Sequence, residues 1–234
     1  MFDIKPNQGK KLEIVVNGIE YLRFPVKTHL ISDKDNIVRV VEKYTKPLLK
    51  KGDFVFVSER IVAISQGRSY FIKDIKPSRL ARFLVKYVHK SPHGIGLGSP
   101  WTMQLAIQEA GSFRIIFGSI IAAITKPFGI RGIFYKIVGH NVNAIDGPCS
   151  YTLPPGNQQA KLGPKDPEKV ATEIEKAVGH EIVIIDSNDL GVNVLGKSKS
   201  EIDDNFCKNV FRDNPLGQTK EQTPICIIRK GKSL

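Results

Sequence analysis

Four consecutive β-branched residues, Ile182-Val183-Ile184-Ile185, constrain this chain more than any other stretch. A strand with no polar face has none to offer to water, so the run reads as a strand buried on both sides. A helix feeds it. Asp166-Pro167-Glu168 is a start signal, Val170, Ile174 and Val178 recur at helical spacing, and Gly179 marks the stop. Residues 166–186 therefore form a helix-then-strand unit. At its end the sequence turns polar, Asp186-Ser187-Asn188-Asp189, and then reaches Gly191. A carboxylate at the C-terminal tip of a buried strand is held rigidly while facing a crevice, which suits a metal or phosphate site. The same residue types are ordinary turn formers, and on this stretch alone a solvated turn is the favoured reading.

The length of 234 residues suffices for one large domain or two small ones. Lys and Arg outnumber Asp and Glu by 35 to 23, a net charge of +12. Such a field favours anionic partners: nucleotides, phosphorylated small molecules, nucleic acid or acidic lipid. Cys149, Cys207 and Cys226 are far apart and odd in number. They read as reduced thiols of a cytoplasmic protein, without a disulfide framework or paired metal spacing. No apolar signal segment follows the N-terminal charges. The longest apolar stretch, 115–125, is about half the length that spans a bilayer. A soluble protein is expected, whose basic, apolar segment 113–138 is able to touch a membrane surface.

In chain order, Asn17-Gly18 between two apolar runs predicts a hairpin. Ile37, Val38, Val41, Tyr44 and Leu48 share a helical face, with Pro47 near its end. Gly52-Asp53 opens a strand over 54–57, and a second apolar run follows at 61–64. Leu80, Phe83, Leu84, Tyr87 and Val88 line one face of a helix expected over 77–90. Three glycines lie in 91–100, before a helix capped by Ser99, opened by Pro100 and stopped by Gly111; backbone N–H groups there could cradle a phosphate, but a flexible connector is the favoured reading. Strand-like and basic segments fill 113–138. Ser198-x-x-Glu201 predicts a capping box for a last helix carrying Ile202, Phe206, Val210 and Phe211, and 225–228 reads as a final strand.

Asp146 and Asp186 both follow apolar runs and precede turn residues. Two convergent carboxylates are what magnesium or manganese needs beside substrate phosphates. The five histidines show no metal-ligand spacing, and His180 is expected at a helix end. No nucleophile-elbow motif is present.

Five blocks stand out along the chain: Pro25-Val26-Lys27-Thr28; residues 52–57 with Arg60-Ile61-Val62 and Gly67-Arg68; Asn143-Ala144-Ile145-Asp146; Val183-Ile184-Ile185-Asp186-Ser187; and residues 223–229. Together they resemble the γ-glutamyl ligase family that adds glutamates to the deazaflavin coenzyme F-420, and they occur in the family's order. The resemblance implies an α+β fold with mixed and antiparallel sheets, packed helices and two intertwined lobes, working as a homodimer. On it we expect a first lobe over 1–90 plus 197–234 and a second over 91–196 carrying the aspartates. The implied chemistry is a ligase that spends GTP, or ATP, with divalent metal to join glutamate to an anionic carboxylate acceptor through an acyl phosphate. By position, Asp146, Asp186 and Ser187 would hold metal, and the two aspartates would be catalytic. Lys27, Thr28, Arg60, Arg68 and Asn143 would bind the nucleotide or another anion.

The chain also departs from the family pattern. Where the family typically reads S-K-A-E-G-R, this chain reads Ala63-Ile64-Ser65-Gln66-Gly67-Arg68, placing Ile64 where a lysine is expected and Gln66 where a glutamate is. A glycine between Ala144 and Ile145 is absent, and residues 188–196 and 92–138 have no counterpart. The leading expectation is a metal- and nucleotide-dependent amide ligase. Loss of the lysine favours a second class, a non-catalytic nucleotide-binding or regulatory protein on the same scaffold. Nucleic-acid binding rests on charge alone: no module is recognisable, and aromatic and basic residues are not interleaved as a stacking platform requires.

Overall fold

The computed structural model describes residues 5–88, 95–130, 132–139, 141–188, 191–217 and 219–233. The chain begins with strands β1 (Glu13–Val16) and β2 (Ile19–Val26), helix α1 (Ile37–Thr45), strand β3 (Phe54–Ser58) and helix α2 (Glu59–Ser65). Strand β4 (Ser69–Phe71) follows, then helices α3 (Arg79–Leu84), α4 (Pro100–Ala110), α5 (Ser112–Thr125) and α6 (Ile133–Val138), and strand β5 (Gln159–Lys161). It closes with α7 (Pro167–Val178), β6 (Glu181–Asn188), β7 (Gly191–Lys197), α8 (Asp204–Val210) and β8 (Ile225–Ser233). The fold is α+β, with one six-stranded mixed sheet and one small antiparallel sheet.

Two compact units divide at Gly67/Arg68 and Pro164/Lys165. The sequence reading drew these boundaries at 90/91 and 196/197. Unit 1 takes both ends of the chain and holds the large sheet, in the order β1-β2-β8-β3-β6-β7. Its hairpin turn has positive φ at Asn17 (51°) and Gly18 (75°), the geometry that continues the twist of β1 into β2. The β6 run is buried on both faces as expected: Ile182, Val183, Ile184 and Ile185 are all fully enclosed. Alternation explains how. Val55, Val57, Ile182, Ile184, Ile225 and Ile227 face α1, α2 and α7, while Phe56, Val183, Ile185, Cys226 and Ile228 face α8. Phe56 stacks on Phe211 with ring centroids 4.6 Å apart.

Helix α7 starts at Pro167 and stops at Gly179 (φ 74°), as the start and stop signals predict. His180 meets its end, one ring nitrogen 3.0 Å from the Val178 carbonyl oxygen. Helix α8 differs from expectation. It begins six residues past Ser198, capped by Asp203, whose carboxylate accepts from the Asn205 and Phe206 N–H groups at 3.0 and 3.2 Å. Ser198 instead prolongs the β6–β7 pairing: its hydroxyl accepts from Ile182 N–H and its own N–H donates to Ile182 oxygen, both at 3.0 Å.

Unit 2 packs α3, α4, α5 and α6 with the β4–β5 pair around Met103, Leu105, Ala106, Ile115, Val138 and Leu162. Ser99 caps α4, Pro100 opens it and Gly111 ends it, as read from sequence. The strand-like reading of 113–138 is overturned, because α5 and α6 are helices there. Isoleucines favour strands in isolation, but here Ile115 is fully buried, and Gly118 lets α6 approach until an added Cβ would stand 2.8 Å from Val138 Cγ2. The helix expected over 77–90 is also shorter: α3 gives way to a 3₁₀ turn, Val85–Tyr87. Phe83 and Tyr87 of its expected inner face are exposed, and Ala81 is the buried member. Residues 89–94, with the first part of the glycine connector, lie outside the described residues.

Candidate functional site

Strand registers gather one set of predicted residues at a single edge of the unit 1 sheet. Strands β3 and β6 are parallel, with Ser58 opposite Ile185, so their carboxyl ends share that edge. Strand β8 runs against β3, and β2 against β8: Val57 and Val26 both pair with Ile225. The segments that follow β2, β3 and β6 therefore emerge side by side. Lys27 and Thr28 follow β2, Arg60 follows β3, and Asp186 with Ser187 lies in the last part of β6 itself. The carboxyl ends of parallel strands are where open α/β sheets hold their ligands, since the chain leaves the sheet there and backbone groups become available.

Each of these residues has a definite setting. Lys27 is exposed. Thr28 is buried; its backbone N–H donates to Gln222 oxygen at 3.2 Å, and the Gln222 amide donates back to Thr28 oxygen at 2.9 Å. Next to it, His29 bridges the Tyr44 hydroxyl and Asp35, each at 2.9 Å. The hydrogen bond from His29 is the main cause holding the Asp35 carboxyl below its ordinary range, helped by the Ser32 N–H. Arg60 opens α2, half-buried, its N–H 3.4 Å from the Ser58 hydroxyl.

Strand β6 does not end at Asp186. It runs on through Asn188 and pairs antiparallel with β7, with Asp186 opposite Asn193 and Ser187 opposite Val192. Residues 189–190 lie outside the described residues. The solvated-turn reading of Asp186 is therefore corrected: it is a strand residue at the point where burial gives way to half-exposure. The register skips Leu195 between Ile184/Gly196 and Ile185/Val194, placing the bulge on β7 and leaving β6 regular. Asp186 thus shares the face of Ile182 and Ile184, whereas Ser187 turns toward α8 and its hydroxyl lies 3.4 Å from Phe211 oxygen.

Unit 2 brings together a second set. Asp146 forms a bridge with Lys161 at the end of β5: Asp146 N–H donates to Lys161 oxygen at 3.1 Å, and Lys161 N–H returns to Asp146 oxygen at 2.9 Å. The carboxylate is half-buried and accepts from Gly147 N–H at 2.8 Å. Arg68 stands beside the same strand. Its guanidinium donates to Gly163 oxygen at 2.7 Å and pairs with Glu109 at 2.6 Å. Asn143 is exposed on a 3₁₀ turn, Val142–Ala144.

Sequence reasoning missed Lys161. It is buried, directly opposite Asp146, and its ammonium donates to Ala144 oxygen at 2.8 Å. Nothing in Gln159-Ala160-Lys161-Leu162 marks that lysine as special; only the bridge places it beside the aspartate. Sequence reasoning also left Gln66 without a role. Its amide nitrogen donates to Lys165 oxygen at 2.9 Å and its amide oxygen accepts from Lys165 N–H at 2.8 Å, clasping the two places where the chain crosses between units. A glutamate would supply no such donor.

A cleft of about 520 Å³ lies at the opposite edge of the unit 1 sheet, at the amino ends of β3 and β6. None of the predicted residues lines it. Its Lys199 is already balanced by Glu181 at 3.1 Å and Glu175 at 3.4 Å. Among the described residues, no three His, Cys, Asp or Glu side chains are grouped to hold a metal by themselves. A carboxylate is a hard oxygen donor of the kind magnesium takes in small number, with phosphates and water completing the shell, and Asp146 in unit 2 and Asp186 in unit 1 each offer one.

A family model described as F420-0:Gamma-glutamyl ligase matches residues 25–195, more than half of the chain. The match takes in all eight predicted site residues, from Lys27 to Ser187, and stops short of the last resembling block at 223–229. No curated protein matches the chain.

Proposed function

Because the chain belongs to the F420-0:gamma-glutamyl ligase family, we propose that it is a metal- and nucleotide-dependent amide ligase. It joins glutamate, or another amino acid, to the carboxylate of an anionic acceptor of the deazaflavin-coenzyme kind. The observation that carries this reading is the match over 25–195. In the reaction, an acceptor carboxylate oxygen takes the γ-phosphoryl group of GTP or ATP, giving an acyl phosphate and the nucleoside diphosphate. The amine of glutamate then attacks the acyl carbon, phosphate leaves, the amine loses a proton, and an amide remains. A bound magnesium or manganese ion would offset charge on the phosphates and acceptor.

This chain's residues take the following parts. Asp146 and Asp186 would supply oxygen ligands to the metal, whereas the Ser187 hydroxyl faces the other side of β6, toward α8. Lys27, Arg60 and Arg68 attract and orient the phosphates, arginine being suited to two-pronged contact. Thr28 and Asn143 add neutral hydrogen bonds. Lys161 steadies Asp146 and adds a fixed positive charge. The protein acts in the cytoplasm as a homodimer.

The test is turnover. With GTP or ATP, magnesium or manganese, glutamate and a panel of carboxylate acceptors, the wild type should release phosphate and form an amide. Asp186→Asn keeps the shape and loses the charge, so turnover should fall on the order of a hundredfold with unchanged thermal melting. A specific observation favours one alternative: Ile64 stands where the family lysine is expected and packs its half-buried side chain against the unit 1 core. The scaffold would then serve as a nucleotide sensor. A wild type that binds nucleotide with metal yet never releases phosphate or forms an amide would establish the sensor.

A further inference from the structure

The outward face of α5 is apolar where a surface helix is ordinarily polar. Ile115 and Gly118 turn inward, and on the other side Phe113 is 82% exposed, Ile120 52% and Ile124 57%, with Ile116 and Phe117 between them. The spacing of these five puts them on one ridge, and the rings of Phe113 and Phe117 lie parallel, 6.4 Å apart. Phe128, just past the helix, is 78% exposed and extends the ridge. Six large apolar side chains exposed together along one helix and the turn after it mark an interaction site.

Charge selects the partner. From Gly111 to Ile145 the sequence has no Asp or Glu, while Arg114, Lys126 and Lys136 are exposed beside the ridge. A second copy meeting this face about a two-fold axis would set Lys126 and Lys136 against their own equivalents, and the segment from Gly111 to Ile145 brings no acid of its own to balance them. A surface rich in phosphate meets both demands at once. Length and packing then fix the manner of contact. No single described helix is long and apolar enough to cross a membrane, and α4 with Ser112–Phe128 meets that measure only as a pair bent by 114°. The α4 half is unavailable to lipid, because Met103, Leu105, Ala106 and Ile107 are buried in the unit 2 core. Helix α5, about 21 Å long at 1.5 Å per residue, is left to lie in the plane of the surface, as interfacial helices with basic flanks do.

We propose that the Phe113–Ile124 ridge and the adjoining Lys126–Phe128 turn dock this protein on an anionic lipid bilayer. Apolar side chains enter the headgroup boundary, and Lys126 and Lys136 pair with lipid phosphates. The test sediments the full chain with vesicles of phosphatidylcholine alone or mixed with phosphatidylglycerol. Binding is expected with phosphatidylglycerol only, weakening as salt rises. The double variants Phe117→Ser/Ile120→Ser and Lys126→Gln/Lys136→Gln alter exposed residues, so they should melt like the wild type and each bind on the order of tenfold less. No sedimentation of the wild type with phosphatidylglycerol, or equal sedimentation of all three proteins, overturns the proposal. Lipid-free self-association that disappears in Phe117→Ser/Ile120→Ser also overturns it, since a second copy would then cover the ridge.

Discussion

At the scale of single residues, unit 1 buries a charge beside a carboxylate. Arg23 is fully buried in β2; it pairs with Asp213 and also donates to Lys11 oxygen at 2.8 Å and Val210 oxygen at 3.2 Å. Burial pushes the Asp213 carboxyl up, but the hydrogen bond and charge of Arg23 outweigh it, and the net shift is below the ordinary value of 3.8. A depressed carboxyl stabilises the fold above its unfolded pKa, and that contribution fades as pH falls through the folded value. Asp213→Asn should therefore lower stability by about 2 kcal/mol at pH 7, less than the loss of a fully enclosed pair because Asp213 is partly exposed. Its urea midpoint should decline less than that of the wild type on acidification below about pH 4. A variant whose midpoint equals the wild type's at pH 7 would show that the carbonyl contacts of Arg23 suffice.

Between elements, unit 1 has a close backbone contact where β7 crosses the start of α7. A Cβ on Gly196 would stand 2.5 Å from the Pro167 carbonyl carbon and 2.6 Å from Glu168 nitrogen, and backbone has nowhere to move. The β7 bulge lies next to this crossing, between Gly196 and Val194. Gly196→Ala should destabilise the protein by about 2 kcal/mol or more through overpacking, seen as a lower urea midpoint. Because Asp186 pairs with β7 two rungs away from the bulge, the same variant should weaken nucleotide binding if Asp186 acts as proposed. Unchanged stability would mean that α7 is free to slide along the sheet.

For the whole molecule, the decisive fact is that the last strand is a central one. Strand β8 sits between β2 and β3 and joins the N-terminal hairpin to the rest of the sheet. Its Ile225, Cys226, Ile227 and Ile228 belong to both cores. Unit 1 therefore cannot close until β8 is in place. Ending the chain after Pro224 should abolish cooperative unfolding of unit 1, with loss of near-ultraviolet circular dichroism and accumulation as insoluble protein. A truncated chain that still melts in one sharp transition would refute that role for β8.

Local signals carried much of this structure in the sequence itself. Asn17-Gly18 specified its hairpin, Ser99 and Pro100 opened α4, Gly111 ended it, and Asp166-Pro167 with Gly179 bounded α7, because turns and caps depend on residues a few positions apart. The doubly buried β6 was legible from four unbroken β-branched residues. Other features were decided only at longer range. The 113–138 segment became helix because Gly118 admits α6, an approach that no local propensity encodes. The capping box at Ser198 lost to strand pairing with Ile182, since a register bond fixed by the sheet outweighs a local cap. Lys161 acquired meaning only when β5 was laid against Asp146. Lys27, Arg60 and Asp186, distant in sequence, share an edge because three strand registers put them there. Residue types and spacing determined which groups this chain offers to a ligand; pairing across the sheet decided which of them stand together.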